Sequence, residues 1–340
     1  MSTHLPVAIL NDTRIDRHHG CERVMRAIHA LLERHGMHAE GTCPSHRDWR
    51  QDATFLQALD RARLVIVNGE GSIHHDRPAG RNLLEIGAYA RARGIPAVLV
   101  NAGWEANGPE LLRMLDHFSL VSVRDSASAQ AVRAGGTSCR VVPDLSLYAP
   151  TPPGAALEAR QRIGFTDSVD RFKAIALEEC RRQVRGETVS IIFPPPGTAG
   201  YLRFVRQGFA ARDAMSPRVL LRIVRLRHRL CRNSFARTDS FLSALARYRL
   251  LVSGRFHACT LALLTSTPFL SVPSNTSKIA TLVVDADLAS WRATTRIDSR
   301  SIAEASAAGW SAQEREAIES HLAAARAGAE RLFRDIRTLA

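Results

Sequence analysis

Leu250 to Ile279 reads L-L-V-S-G-R-F-H-A-C-T-L-A-L-L-T-S-T-P-F-L-S-V-P-S-N-T-S-K-I, and this stretch decides the fold. Two short apolar runs each end in a polar loop that opens a helix. An open parallel α/β sheet brings reactive groups to the carboxyl ends of its strands in this way. Arg255 and His257 lie in the first loop, and Ser274, Asn275, Thr276 and Lys278 in the second. Cations, hydroxyls and amides at a helix start suit an anion, and a histidine with an ordinary pKa of about 6.5 suits proton transfer.

The same rhythm runs through the N-terminal half. Strands are expected at Val7–Leu10, Met37–Glu40, Leu64–Val67, Ala97–Asn101, Leu120–Val123 and Arg140–Val142. Helices are expected at Cys21–Arg34, Ala53–Arg61, Asn82–Arg93, Glu110–Asp116 and Ser126–Ala134, with Gly36, Gly94 and Gly135-Gly136 as stops. The prolines of Ala149–Gly154 make a linker. Beyond it the pattern predicts a helix at Ala155–Ile163, a strand at Val189–Phe193 and a helix at Phe241–Arg247. Ser311 with Glu314 forms a capping box for a closing helix that runs to about Leu339. The expected architecture is α/β, with Rossmann-like, doubly wound parallel-sheet domains over residues 1–150 and 155–305 and a C-terminal helix over 311–340 packing back across them.

At 340 residues with 45% apolar content, the chain fits two packed cores. The formal charge is +13, and Lys173 and Lys278 are the only lysines. The surplus favours anionic partners, while the low aromatic content argues against nucleic acid. Six scattered cysteines without a C-x-x-C pair read as reduced thiols of a cytoplasmic protein. The N-terminal residues lack a signal-peptide pattern, and no run has the length of a membrane span.

Tyr201 to Arg237 holds ten arginines against the single acid Asp213. On a helical wheel Arg218, Arg222, Arg225, Arg229 and Arg232 share one face and Val219, Ile223, Leu226 and Leu230 the other. Such a helix, over 217–232, either contacts a membrane surface peripherally or packs on the sheet with a solvated arginine face. Arg227 falls on the apolar face, where a charge is costly unless it is paired or snorkels.

Further loops follow the strands of the first domain. Asn11 to Gly20 (N-D-T-R-I-D-R-H-H-G) carries Asn11, Asp12, Arg14, His18 and His19. Asn68 to Asp76 (N-G-E-G-S-I-H-H-D) carries Gly69, Glu70, Gly71, His74, His75 and Asp76, with glycines that let backbone approach a ligand. V-R-D-S places Arg124 at a strand end with Asp125 as a helix cap, and V-P-D places Asp144 at the domain border. The two histidine pairs, with Asp12, Asp16 and Asp76, would suit either a divalent metal or sugar hydroxyls. Adjacent histidines rarely point the same way, so no metal is assigned.

In order, N-G-E-G-S…D, V-R-D-S-x-S, V-P-D, S-G-R-F-H-A…T-P-F and S-N-T-S-K-I resemble the polysaccharide pyruvyl transferase family, from Asn68 to Ile279. The resemblance implies a fold like that of GT-B glycosyltransferases, two Rossmann-like domains facing a cleft. It also implies phosphoenolpyruvate as donor, a pair of sugar hydroxyls as acceptor and a pyruvate ketal as product. No further cofactor is implied. Where the family usually has glycine at the centre of its glycine-rich loop, this chain has Glu70. A carboxylate there repels phosphate, which shifts the expected donor site to the Arg255 and Lys278 side.

The chemistry asks for a proton donor to the enolpyruvyl methylene, a base for the hydroxyl, and cations for phosphate and carboxylate. His257 is the candidate acid/base, Asp76 or Glu70 the candidate base, and Arg124, Arg255, Ser274, Asn275, Thr276 and Lys278 the candidate donor site. Asn11, Asp12, Arg14, His18, His19, Gly69, Gly71, His74 and His75 are the candidate acceptor residues. The expected acceptor is a surface glycan or its lipid-linked oligosaccharide precursor, met in the cytoplasm at the inner face of the membrane. The competing readings are a GT-B glycosyltransferase using a nucleotide sugar, and a non-catalytic glycan-binding or assembly protein on the same fold.

Overall fold

The computed structural model describes residues 4–149, 161–207 and 216–340. The chain forms two compact units. The first comprises residues 1–16, 21–149 and 319–340, and the second residues 17–20 and 150–318.

The first unit is built on β1 (Leu5–Asp12), α1 (His19–Arg34), β2 (Met37–Pro44), α2 (Ala53–Arg61), β3 (Leu64–Asn68), β4 (Ile73–His74), α3 (Pro78–Arg91), β5 (Ala97–Ala102), β6 (Trp104–Glu105), α4 (Pro109–Met114), β7 (Leu120–Val123), α5 (Ser126–Ala134) and β8 (Arg140–Val141). Six strands make one parallel sheet in the order β2-β1-β3-β5-β7-β8. All five residues of β3 are buried, as a parallel strand covered on both faces must be. Alternation sorts them: Val65 and Val67 join Phe55, Leu59 and Leu84 on one face. Leu64 and Ile66 join Val24, Ile28, Leu332 and Phe333 on the other. The chain leaves β1 towards β2 and returns on the far side as β3, so the crevice at the carboxyl ends of β1 and β3 is the topological switch point.

The second unit contains β9 (Arg162–Ser168), α6 (Arg171–Gln183), β10 (Glu187–Thr188), α7 (Gly197–Gln207), α8 (Pro217–Arg232), α9 (Thr238–Leu245), β11 (Tyr248–Gly254), α10 (Phe256–Leu264), β12 (Phe269–Ser271), α11 (Lys278–Asp285) and α12 (Ser299–Ala308). Its parallel sheet runs β10-β9-β11-β12, with the switch point between β9 and β11. Phe165, Leu250, Val252 and Leu270 pack on Leu177 of α6 and Ile302 of α12. The closing helix α13 (Ala312–Arg337) opens with the expected capping box. Ser311 N donates to Glu314 at 3.0 Å and Glu314 N to Ser311 Oγ at 3.1 Å. Its last turns bury Ala329, Leu332, Phe333 and Ile336 in the first unit's core.

Two expectations for the second unit change. Ile163, assigned to a helix over Ala155–Ile163, lies in β9, and residues 155–160 of that helix, like 150–154 of the linker, lie outside the described residues. Strand β9 was concealed by Gly164, a residue that weakens strand propensity. Packing requires it, because a Cβ there would stand 2.7 Å from the Tyr248 ring. The strand expected at Val189–Phe193 starts and ends early: it is Glu187–Thr188, with Val189 N still donating to the Phe165 carbonyl of β9 at 2.9 Å, and the chain runs into Pro194-Pro195-Pro196.

The arginine-rich helix forms as α8, with Ser216 at its N-cap. Its apolar side packs on α6: Leu226 and Leu230 meet Ala174. Two of its arginines pair with α6 acids, Arg222 with Glu179 at 2.7 Å and Arg229 with Glu178 at 3.5 Å. Arg218, Arg225 and Arg232 stay exposed. Arg227 avoids the cost of its apolar position by donating from Nε to the Phe204 carbonyl at 2.6 Å, with its guanidinium 4.0 Å from the Phe204 ring centroid. Among the described residues, no helix is long and apolar enough to cross a membrane.

Candidate functional site

In the first unit the switch point is knit by amides. Asn11, in a left-handed conformation (φ 72°), donates from Nδ2 to the Asn68 carbonyl at 2.6 Å. Asn68 Nδ2 donates to Glu70 Oε2 at 3.2 Å, and the Cys21 thiol to Glu70 Oε1 at 3.0 Å. Glu70 is thus turned inwards and buried. Burial first, then the Glu70 charge and hydrogen bond, push the Cys21 thiol far up, so it stays protonated. Gly69 meets a packing requirement, since a Cβ would lie 2.5 Å from that of Ala102. Gly71 has open space around its Cβ position.

The remaining first-unit candidates divide. Asp12 is buried and held bidentately by Arg14, with Nε at 2.9 and 3.0 Å from the two carboxylate oxygens. Burial alone would raise the Asp12 carboxyl, but the Arg14 hydrogen bonds and charge outweigh it and hold it below the usual range. His74 and His75 share a hydrogen bond between their Nδ1 atoms at 2.8 Å, so one ring donates and the other accepts. Asp76, left-handed like His75, accepts from Gly108 N at 2.8 Å and so holds the loop before α4. Arg124 is buried with its NH1 3.2 Å from Asp144 Oδ2, while Asp125 caps α5 through Ser128 N at 2.7 Å.

Asn11, Gly71 and His74 line a cavity of about 500 Å³ at this sheet edge. Its wall also includes Asp16, named above only as a neighbour of the histidine pairs, and Ser45, His46, Arg47, Asp48 and Arg77, which were not foreseen. P-S-H-R-D, at 44–48, follows β2 as N-D-T-R follows β1, so position at a strand's carboxyl end was the signal available.

The second unit concentrates charge. Arg255 makes a two-pronged pair with Asp167, Nε to Oδ1 at 2.8 Å and NH2 to Oδ2 at 2.5 Å. Asp167 lies near the end of β9 and Arg255 follows β11, so the pair stands at the switch point. Beneath it Thr166 and Ser253 join their hydroxyls at 2.7 Å. Asp167 was missed together with its strand. His257 sits on the first turn of α10 and is buried. Lys278 Nζ donates to Asn275 Oδ1 at 2.9 Å and Ser274 Oγ to the same atom at 3.0 Å, so these three hold one another at the start of α11. Thr276 lies in the same loop.

The two histidines of the first loop belong to this unit and part company. His19 is fully buried: it stacks on Phe241 with centroids 4.6 Å apart, and its Nδ1 is 3.2 Å from Thr238 Oγ1. That is a core position, not an acceptor contact. His18 lies beside His257, with ring centroids 5.3 Å apart. A Cβ on Gly20 would fall 2.2 Å from His257 Cγ, so the glycine leaves the space that ring occupies. Gly20 N donates to His18 Nδ1 at 3.1 Å, which fixes the His18 proton on Nε2. Burial first, then His257, Arg255, His19 and Lys278, hold His18 well below the ordinary histidine range and keep it neutral at pH 7.

Comparisons with known proteins agree with this architecture. The chain has a TM-score of 0.55 and 10% identity with a UDP-N-acetylglucosamine 2-epimerase described as putative from Listeria monocytogenes, covering 96% of this chain and 94% of that one. Against the S. aureus MnaA–UDP co-structure the TM-score is 0.54 at 12% identity, with 96% and 94% covered. Against a Siraitia grosvenorii UGT transferase in complex with UDP it is 0.51 at 9% identity, with 98% and 99% covered. At such identities the likeness concerns fold alone, two Rossmann-like domains of the GT-B kind. No curated protein matches the sequence. The family model for polysaccharide pyruvyl transferase, however, matches residues 19–276, a span that contains Glu70, Arg124, Asp167, Arg255 and His257, and the chain is a member of that family.

Proposed function

We propose that the protein transfers pyruvate from phosphoenolpyruvate to two hydroxyls of a surface glycan or its lipid-linked precursor, forming a ketal. The observation that carries the proposal is the Arg255–Asp167 pair at the second switch point, with His257 on the adjoining helical turn. A guanidinium fixed by a carboxylate is preorganised to meet the donor's carboxylate or phosphate. Lys278, with the Ser274, Asn275 and Thr276 loop, supplies a second anion contact at a helix start.

His257 gives a proton to the methylene carbon, and positive charge develops at the neighbouring carbon as the double bond is consumed. A sugar hydroxyl attacks there, phosphate departs, and a second hydroxyl closes the ketal. Neutral His18 packs against His257 and offers its Nε2 proton as a hydrogen-bond donor. The first unit's cavity, lined by Asn11, Gly71 and His74, offers amide and imidazole groups that suit sugar hydroxyls. Arg124 acts as a positioning residue through Asp144, and Asp76 through Gly108. No further cofactor is needed for this chemistry. The reaction takes place in the cytoplasm, and the exposed Arg218, Arg225 and Arg232 favour the anionic inner face of the membrane where lipid-linked acceptors reside.

Phosphate release from phosphoenolpyruvate should require an acceptor glycan that gains mass in the same reaction, and His257→Ala should abolish both. Thermal stabilisation by a nucleotide sugar alone, with no response to phosphoenolpyruvate, would instead favour a glycosyltransferase. Binding of glycan without any turnover would favour an assembly protein.

A further inference from the structure

Lys173 and Lys278 are the only lysines among the 46 basic residues of the chain, and both ammonium groups end at one loop of the second unit. Lys278 bonds Asn275 within that loop. Lys173, on the first turn of α6, reaches the loop from outside it: its Nζ donates to the Pro273 carbonyl at 3.0 Å. Strand register shows where that places the charge. Ser271 of β12 lies opposite Ser253 of β11, and Val272 N continues the ladder to the Ser253 carbonyl at 2.9 Å, so Pro273 follows at the level of Arg255. On the other side of β11, Gly254 pairs with Ser168, next to Asp167. The approach there is close, since a Cβ on Gly254 would stand 2.6 Å from that of Ser168. The carbonyl that holds Lys173 therefore stands at the strand ends where Arg255 and Asp167 meet.

The acids near Lys173 are occupied by other groups. Asp170 Oδ1 caps α6, accepting from Phe172 N at 2.8 Å and Lys173 N at 3.2 Å, and Asp167 neutralises Arg255. Among the described residues the Lys173 ammonium makes no ion pair. A carbonyl takes one of its three N–H donors and balances none of its charge, a costly state for a half-buried cation unless an anion joins it. We propose that Lys173 binds the phosphate group of the donor. The phosphate then meets cations from three neighbouring strand ends: Lys173 after β9, Arg255 after β11 and Lys278 after β12. A compact ammonium acts as a point charge towards phosphate and needs less width than the planar guanidinium used nearly everywhere else in this chain.

The inference rests on the donor reading above, and the test keeps the two apart. With two lysines in the chain, amine acetylation followed by peptide mass spectrometry reads each one separately in the wild-type protein. The rate at Lys173 is measured without ligand and with phosphoenolpyruvate, inorganic phosphate, pyruvate or a UDP-sugar. Phosphoenolpyruvate and inorganic phosphate should slow it about 10-fold, and pyruvate, which lacks the phosphate, less than about 2-fold. Lys173→Met should raise KM for phosphoenolpyruvate about 30-fold with kcat within about 3-fold, and Lys173→Arg should raise it only about 5-fold. Arg182→Met, which removes an exposed charge from the same helix, should match the wild type. Protection of Lys173 by pyruvate and not by phosphate, or a Lys173→Met enzyme with wild-type KM, would overturn the assignment and leave the donor reading standing. Protection by phosphate and the UDP-sugar, with neither protection nor turnover for phosphoenolpyruvate, would overturn the donor reading and keep Lys173 as a phosphate ligand. The acetylation rates report the contact whether or not Lys173→Met folds, and rates unchanged by every phosphate-bearing probe would overturn the assignment by themselves.

Discussion

The gap between β1 and β3 and the gap between β9 and β11 are the same place in the topology of two parallel sheets, yet they are chemically unlike. In the first, Asn11, Asn68, Glu70 and Cys21 are knit together and the open space lies beyond them, walled by residues of both signs. In the second, two hydroxyls close the gap and an ion pair stands above it, with Arg255 still 23% and Asp167 13% exposed along their side chains. Topology supplies a crevice in both cases. The residues at the strand ends decide whether it suits a polyhydroxylated neutral ligand or an anion.

The largest effect that would break this contrast lies in the second gap. Arg255→Ala should reduce phosphate release by about 1,000-fold, and Arg255→Lys by nearly as much, because an ammonium cannot reproduce the two-pronged fork. Asp167→Asn should cost less, through misplacement of Arg255. Thermal melts of all three should stay close to wild type, since a partly exposed pair contributes little to stability. A large loss of stability with intact activity would make the pair structural.

A second ion pair sharpens the point by reversing it. Arg292 is fully buried, donates to the Phe269 carbonyl at 3.2 Å, and holds Glu314 through NH2 to Oε2 at 2.7 Å. Burial would raise the Glu314 carboxyl, but Arg292 and the Ser311 and Ala289 amides outweigh it and bring it from 4.5 to about 2. Its pKa is depressed on folding, so its stabilisation is complete above about pH 4.5 and is lost as pH falls towards 2. Glu314→Gln should therefore lower stability by about 3 kcal/mol at pH 7 and much less near pH 2, read by denaturant titration at both pH values. Activity of the folded fraction should be unchanged.

The smallest effect belongs to Glu70. As a buried link between Cys21 and Asn68, Glu70→Gln should lower kcat by less than about 10-fold, whereas removal of a catalytic base costs 100-fold or more. A loss of the larger size, measured as phosphate release with a saturating acceptor, would return Glu70 to the chemistry.

Much of the first unit was legible because its strands are unbroken runs such as L-V-I-V-N and its helices carry marked stops. The second was legible where the pattern was equally strong, at β11 and α10, and not at β9, where Gly164 interrupts the run. Losing β9 also lost Asp167, the partner that explains how Arg255 is held. His19 and His18 were assigned one role because they are neighbours. Their rings nevertheless leave the backbone in different directions, one into an aromatic core and one beside His257.

The sequence by itself determined the α/β class, the parallel sheets, the capped closing helix and the placement of Arg255, His257 and Lys278 at strand ends. Periodicity, glycine and proline act locally and are written in the order of residues. Only the tertiary structure decided which groups are engaged and which line open space. Glu70 is turned to a thiol and Arg124 to Asp144, while Asp16 and His46, 30 residues apart, meet in one cavity. Such pairings depend on which strand ends the sheet order makes neighbours, and residue spacing carries no record of that order.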